Sequence, residues 1–177
     1  MPILDIIILI IVALFMFAGL RLGLFHTVGS LIGTVVGVFV ASRYYEPLAQ
    51  WSVEIFGKGI NISRVVVFVL IFFVLTRAIG VAFLITGKIV SLLLPIPFKS
   101  AINRFLGMIF GGVEALLLIG VTIFFIDKFP LSETVMHAVS TSAFAPHALN
   151  VASILIPLFP DALRALDSAL EIITTSV

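Results

Sequence analysis

Cysteine is absent from the chain, which excludes disulfides, thiolate metal sites and cysteine nucleophiles, and leaves the redox compartment unreadable. Charge is scarce as well: Asp, Glu, Lys and Arg make up 11% of 177 residues, against roughly a quarter in an ordinary soluble domain. The formal net charge is only +1, far from the basic patch that binding to nucleic acid calls for. A basic segment before the first apolar run is missing too, and so is a small-x-small cleavage pattern after it. MPILDIIILIIVALFMFAGLRLG is therefore expected to be a retained membrane helix rather than a secretory signal.

Catalytic and cofactor motifs are missing in the same way. FGKGI around Lys58 lacks the spaced glycines and the following Ser or Thr of a phosphate loop. There is no Gly-x-Ser-x-Gly elbow. His26, His137 and His147 have neither i, i+4 spacing nor an acidic cluster beside them, so no metal site is expected. No catalytic residue, cofactor or enzymatic activity is predicted.

What the chain does have is apolar surface. Hydrophobic residues make up 62% and the mean hydropathy is +1.33. A soluble domain of this length cannot bury so much, so the expected class is an all-α integral membrane protein. A spanning helix needs about 20 mostly apolar residues. Four stretches qualify, over 3–20, 22–42, 65–87 and 105–126, and they define a transmembrane domain over 1–126. The first two are joined so tightly, around Arg21-Leu22-Gly23, that they read as antiparallel neighbours.

Residues 43–64 contain Tyr44, Tyr45 and Trp51 among polar groups and read as a connection lying at the headgroup level. Residues 127–177 are expected to form an amphipathic C-terminal region. Within it, Asp161 is a candidate N-cap for a last helix with Leu163, Leu166, Leu170 and Ile173 on one face. Basic residues in the links are tied at four on each side. Only a snorkelling Arg77 tips the reading towards termini facing outward.

GSLIGTVVG places Gly29, Gly33 and Gly37 four residues apart inside the second apolar stretch, and Gly107 and Gly111 repeat the spacing in the fourth. Glycine costs roughly 1 kcal/mol relative to alanine inside a helix, so such spacing requires a reason. In lipid, burying leucine between helices gains little, and association relies on small residues that let backbones approach. These five glycines are therefore expected to form helix-packing seams. The spacing leaves open whether the seams lie within one bundle or between copies in a homo-oligomer.

Ionisable groups inside apolar helices are the other signal, because each costs at least about 2.5–3.5 kcal/mol at the helix centre. Asp5 and Arg21 are separated by about 24 Å at 1.5 Å per residue. They cannot pair within the first helix, and both are expected to face headgroups. Glu114 lies about 14 Å beyond Phe105 by the same rise, near mid-membrane. Arg77, deep in an adjacent helix, is its expected partner, either as a structural ion pair or as part of a polar path.

Three stretches carry a resemblance. They are Asp5 with the following apolar run and RLGLF (Arg21 to Phe25, including Gly23); VASRYYEPL (Val40 to Leu48); and NRFLGMIFGGVEALLLIG (from Asn103 and Arg104 to Gly120) followed by FFIDKFP. In this order the chain resembles the colicin V production protein (CvpA) family of bacterial inner-membrane proteins, with weaker similarity from Ser142 to Pro160. The resemblance implies about four spans and a role in colicin V production, a part of toxin biosynthesis. It makes Asp5, Arg21, Gly23, Asn103 and Arg104 the family-motif residues. Glu114, Ala115 and His26 depart from the family pattern, which tends to place Arg or Lys, glycine and a second basic residue there. Two functions follow as expectations: a non-enzymatic membrane factor that docks other envelope proteins, or an oligomeric channel or transporter for a small solute.

Overall fold

The computed structural model describes residues 2–56, 59–93 and 101–160, with no strand among them. The expected last helix after Asp161 lies outside the described residues. Four long helices dominate: α1 (Ile3–Leu22), α2 (Leu24–Phe56), α3 (Ile60–Leu93) and α4 (Ala101–Lys128). All four are long and apolar enough to cross a membrane. Two short helices follow, α5 (Glu133–Ser140) and α6 (Ala145–Ala152), and then a 3-10 turn, Ser153–Leu158.

The connection expected at 43–64 is helical instead. Residues 43–56 continue α2, and α3 already starts at Ile60. The polar groups that suggested a loop are satisfied between the two helices. Arg64 donates two hydrogen bonds to Glu46, Nε to Oε2 at 2.8 Å and Nη2 to Oε1 at 2.7 Å. Tyr45 is buried, with its ring 4.9 Å from that of Phe125. Pro47 removes one backbone donor but does not end α2.

The expectation for α1 and α2 is also corrected. They are joined by Gly23 alone and run in opposite directions, yet α1 lies mainly along α4, and α2 along α3. The reason is local. Gly23 has φ +83°, a conformation that side chains rarely adopt, and its bare Cα faces the Asn103 amide at the start of α4. Asn103 Oδ1 accepts a hydrogen bond from Leu24 N–H at 3.3 Å, so the turn leans on α4.

Two seams hold the pairs. Gly107 meets the backbone of Gly19 and Gly23, and a Cβ on Gly111 would lie 2.5 Å from the Phe15 carbonyl oxygen. Along α2, Gly29 receives Phe83, Gly33 faces the backbone of Thr76, and Gly37 receives Phe72. All five glycines contact neighbouring helices of the same chain.

At 20 residues, α1 is about 30 Å long and matches the bilayer hydrocarbon, whereas α2 at 33 residues is about 20 Å longer. The α2–α3 hairpin therefore projects past the N-terminus of α1. Between α2, α3, α4 and the C-terminal segment, Tyr45, Phe68, Phe72, Phe124, Phe125 and Phe159 form an aromatic core, with Phe15 of α1 packed against it. Phe68 and Phe125 stack at 3.8 Å between ring centroids. The segment after α4 turns back, and Gly120 of α4 accepts the backbone of Ala148 in α6.

Candidate functional site

Midway along the bundle, three helices each place a polar side chain at one point. Glu114 of α4 is buried, and its Oε1 accepts hydrogen bonds from Arg77 Nη2 of α3 at 2.6 Å and from Ser30 Oγ of α2 at 2.5 Å. Ser30 lies between Gly29 and Gly33, so the seam that brings α3 close also sets the hydroxyl at this depth. Around it, Thr76 Oγ1 donates to the Phe72 carbonyl at 2.8 Å and Thr34 Oγ1 to the Ser30 carbonyl at 3.1 Å. One turn from Ser30, His26 Nδ1 lies 3.1 Å from the Gly80 carbonyl, which can accept only from a protonated Nδ1.

Arg77 lies between two aromatic rings, with Cζ 4.7 Å from the centroid of Phe15 and 5.4 Å from that of Phe73. Its side chain is 33% exposed, against 3% for Glu114. Arg77 is thus committed to Glu114 at mid-depth, which removes the basis for counting it towards either membrane face. A carboxylate beside a guanidinium in this setting can hold the helices together or present charge to a polar solute. Among the described residues, no group of three or more His, Asp or Glu could hold a metal ion.

Asp5 does not face headgroups as expected but turns into the protein. It is buried, and its carboxylate accepts hydrogen bonds from Ser142 Oγ and from the backbone N–H groups of Ala143 at 3.3 Å and Phe144 at 3.4 Å. Ser142 Oγ in turn accepts from Ala145 N–H at 3.0 Å. The turn between α5 and α6 is thereby tied to α1. The sequence carried one hint of this partner, because Ser142 opens the stretch of weaker family resemblance. The other motif residues gather at the opposite end: Gly23 makes the α1–α2 turn and Asn103 of α4 braces it, while Arg21 and Arg104 are exposed. Arg21 lies over the Phe17 ring at 4.5 Å.

Four apolar helices long enough to cross a bilayer, with the Glu114 carboxylate paired inside the bundle, define a multi-pass membrane protein of all-α class. The chain belongs to the colicin V production protein family, whose model, described as Colicin V production protein, matches residues 4–153. It is similar to a colicin V production protein homolog of Haemophilus influenzae, 32% identical over 125 residues, which cover 71% of this chain and 73% of the relative. No solved structure matches it.

Proposed function

We propose that this protein is a non-enzymatic factor of the bacterial cytoplasmic membrane that supports toxin production or export by docking other envelope proteins. The family and the name of the Haemophilus influenzae relative supply the biological context. The observation that carries the docking reading is the projecting α2–α3 hairpin. Its outer groove is lined by Leu48, Trp51, Ile62, Val66 and Leu70, all exposed, with Trp51 at 60%. Exposed aromatic and aliphatic anchors of this kind are what protein contacts use.

A photo-crosslinker at position 51 and the variant Trp51→Ala test the reading in a toxin-producing strain. The expected result is a discrete crosslink to an envelope protein, with toxin output lost in Trp51→Ala at normal membrane levels. Full output from Trp51→Ala and Leu48→Glu overturns it.

One observation favours a second reading, a channel or transporter for a small solute: Arg77 is one-third exposed, and its buried Nε has no hydrogen-bond partner. Reconstituted vesicles decide between the two. Solute flux that falls in Glu114→Gln supports transport, whereas sealed vesicles support docking.

A further inference from the structure

We propose that the Gly23 end of the bundle carries a binding site for the phosphate of an anionic phospholipid. A cavity of about 210 Å³ opens there between the α1–α2 turn, α3 and the start of α4. Arg21 and Lys88 line it together with Asn103 and His26, and Leu22 and Leu84 complete its apolar wall. It is smaller than the roughly 300–1,000 Å³ of sites that engulf a whole drug-sized ligand. It suits one headgroup phosphate whose acyl chains stay in the bilayer beside the apolar residues.

Charge placement supports an anion. Of the six acidic residues among those described, Glu114 is at mid-depth, and Asp5, Glu46, Glu54, Asp127 and Glu133 lie towards the opposite end. None lines this cavity. Arg21 Cζ lies over the Phe17 ring, 4.5 Å from its centroid, and a guanidinium carries a planar fork of N–H donors that suits phosphate oxygens. Lys88 adds a compact charge from α3, and Arg104 stands exposed in the first turn of α4. Depth favours a lipid over a free anion. Arg21 is the penultimate residue of a helix as long as the hydrocarbon is thick, which puts it at headgroup level. Basic pockets between spanning helices at that level are where lipid headgroups bind. The inference requires that the helices span a bilayer and is independent of what the hairpin docks.

The test is native mass spectrometry of the delipidated full chain, titrated separately with phosphatidylglycerol, phosphatidylcholine and inorganic phosphate. Phosphatidylglycerol is expected to bind preferentially. Each cation contributes roughly fivefold, so Arg21→Gln/Lys88→Gln lowers that preference roughly 25-fold. Arg21→Lys/Lys88→Arg keeps most of it, and Arg43→Gln at the other end leaves it unchanged. Because Arg21 is exposed, Arg21→Gln alone supplies a folded readout if the double variant fails to fold. Equal binding of the two lipids, or an undiminished preference in Arg21→Gln and the double variant, overturns the proposal. Saturation by inorganic phosphate at millimolar concentration, with no gain from the lipid, reassigns the site to a soluble anion and also overturns it.

Discussion

Asp5 and Glu114 are both carboxylates buried in apolar helices, and both accept a hydrogen bond from a serine, yet they hold different things. Glu114 is satisfied by a cation and a hydroxyl from two other long helices, so it fastens the middle of the bundle. Asp5 is satisfied by Ser142 and two backbone N–H groups of a single turn, so it fastens the C-terminal segment to the start of α1. A charged partner is needed where three helices meet in apolar surroundings. Backbone donors suffice where a turn arrives with its first N–H groups unspent. The comparison teaches that one of these acids belongs to the frame and the other to a clasp.

The largest effect comes from separating the two by the seam on which only one depends. Asp5 reaches Ser142 only because α1 lies flat on α4, where Gly107 meets the backbone of Gly19 and Gly23. Overpacking a tight core typically costs 1–3 kcal/mol and occasionally more. Because the obstacle here is backbone on both sides, Gly107→Leu is expected to exceed about 3 kcal/mol. Unfolding in detergent measures this, together with a cysteine crosslink between positions 5 and 142, which should be lost. A crosslink between positions 30 and 114 should survive, since neither residue is on α1. Loss of both would make the two carboxylates part of one unit and end the comparison.

Glu114→Gln comes next. It leaves Arg77 charged at mid-depth with a neutral partner, and an uncompensated Arg at a helix centre costs about 2.5–3.5 kcal/mol on the gentler scale. Partial exposure of Arg77 keeps the expected loss at or below that range. The double variant Glu114→Gln/Arg77→Gln should recover much of it. Additive losses in the double-mutant cycle would show that the 2.6 Å contact carries no coupling.

Asp5→Ala is the third. It strands the buried Ser142 hydroxyl, at a cost of about 1–3 kcal/mol, while the N–H groups of exposed Ala143 and half-buried Phe144 add less. The effect should be local: faster proteolysis between α5 and α6, with an unchanged crosslink between positions 30 and 114. A global loss equal to that of Glu114→Gln would remove the distinction between frame and clasp.

The two acids were unequally legible in the sequence, for a physical reason. A charge in the middle of an apolar helix demands an opposite charge, and few candidates exist, so Arg77 could be named for Glu114 from position alone. Asp5 lies near a helix end, where water is a sufficient partner, and its real donors are mostly backbone groups that no residue type announces. The glycines of the α2 and α4 seams were read from their spacing inside apolar runs, whereas Gly19 and Gly23, the surfaces Gly107 meets, are also four apart but fall at the end of the first run and in the turn, where glycine reads as a helix stop. The helical continuation over 43–56 was masked by composition: Arg64, Glu46 and Tyr45 look like loop residues until the hairpin pairs them. The four spans needed none of this, because they follow from length and hydropathy alone.

The smallest expected effect sharpens the comparison most. Ser30→Ala removes one of two hydrogen bonds to Glu114 Oε1 and leaves the ion pair in place. Hydrogen bonds between membrane helices average about 0.6 kcal/mol by double-mutant cycles. Ser142→Ala takes one hydroxyl from Asp5 but also releases Ala145 N–H, which Ser142 Oγ accepts. The two serines look alike on the carboxylate side, and only Ser142 serves a second group. Ser142→Ala should therefore cost more than Ser30→Ala, and Ser142→Thr, which keeps the oxygen, should restore most of the difference. Equal losses in side-by-side detergent unfolding would mean that the clasp rests on the two N–H donors alone, with the serine incidental to it.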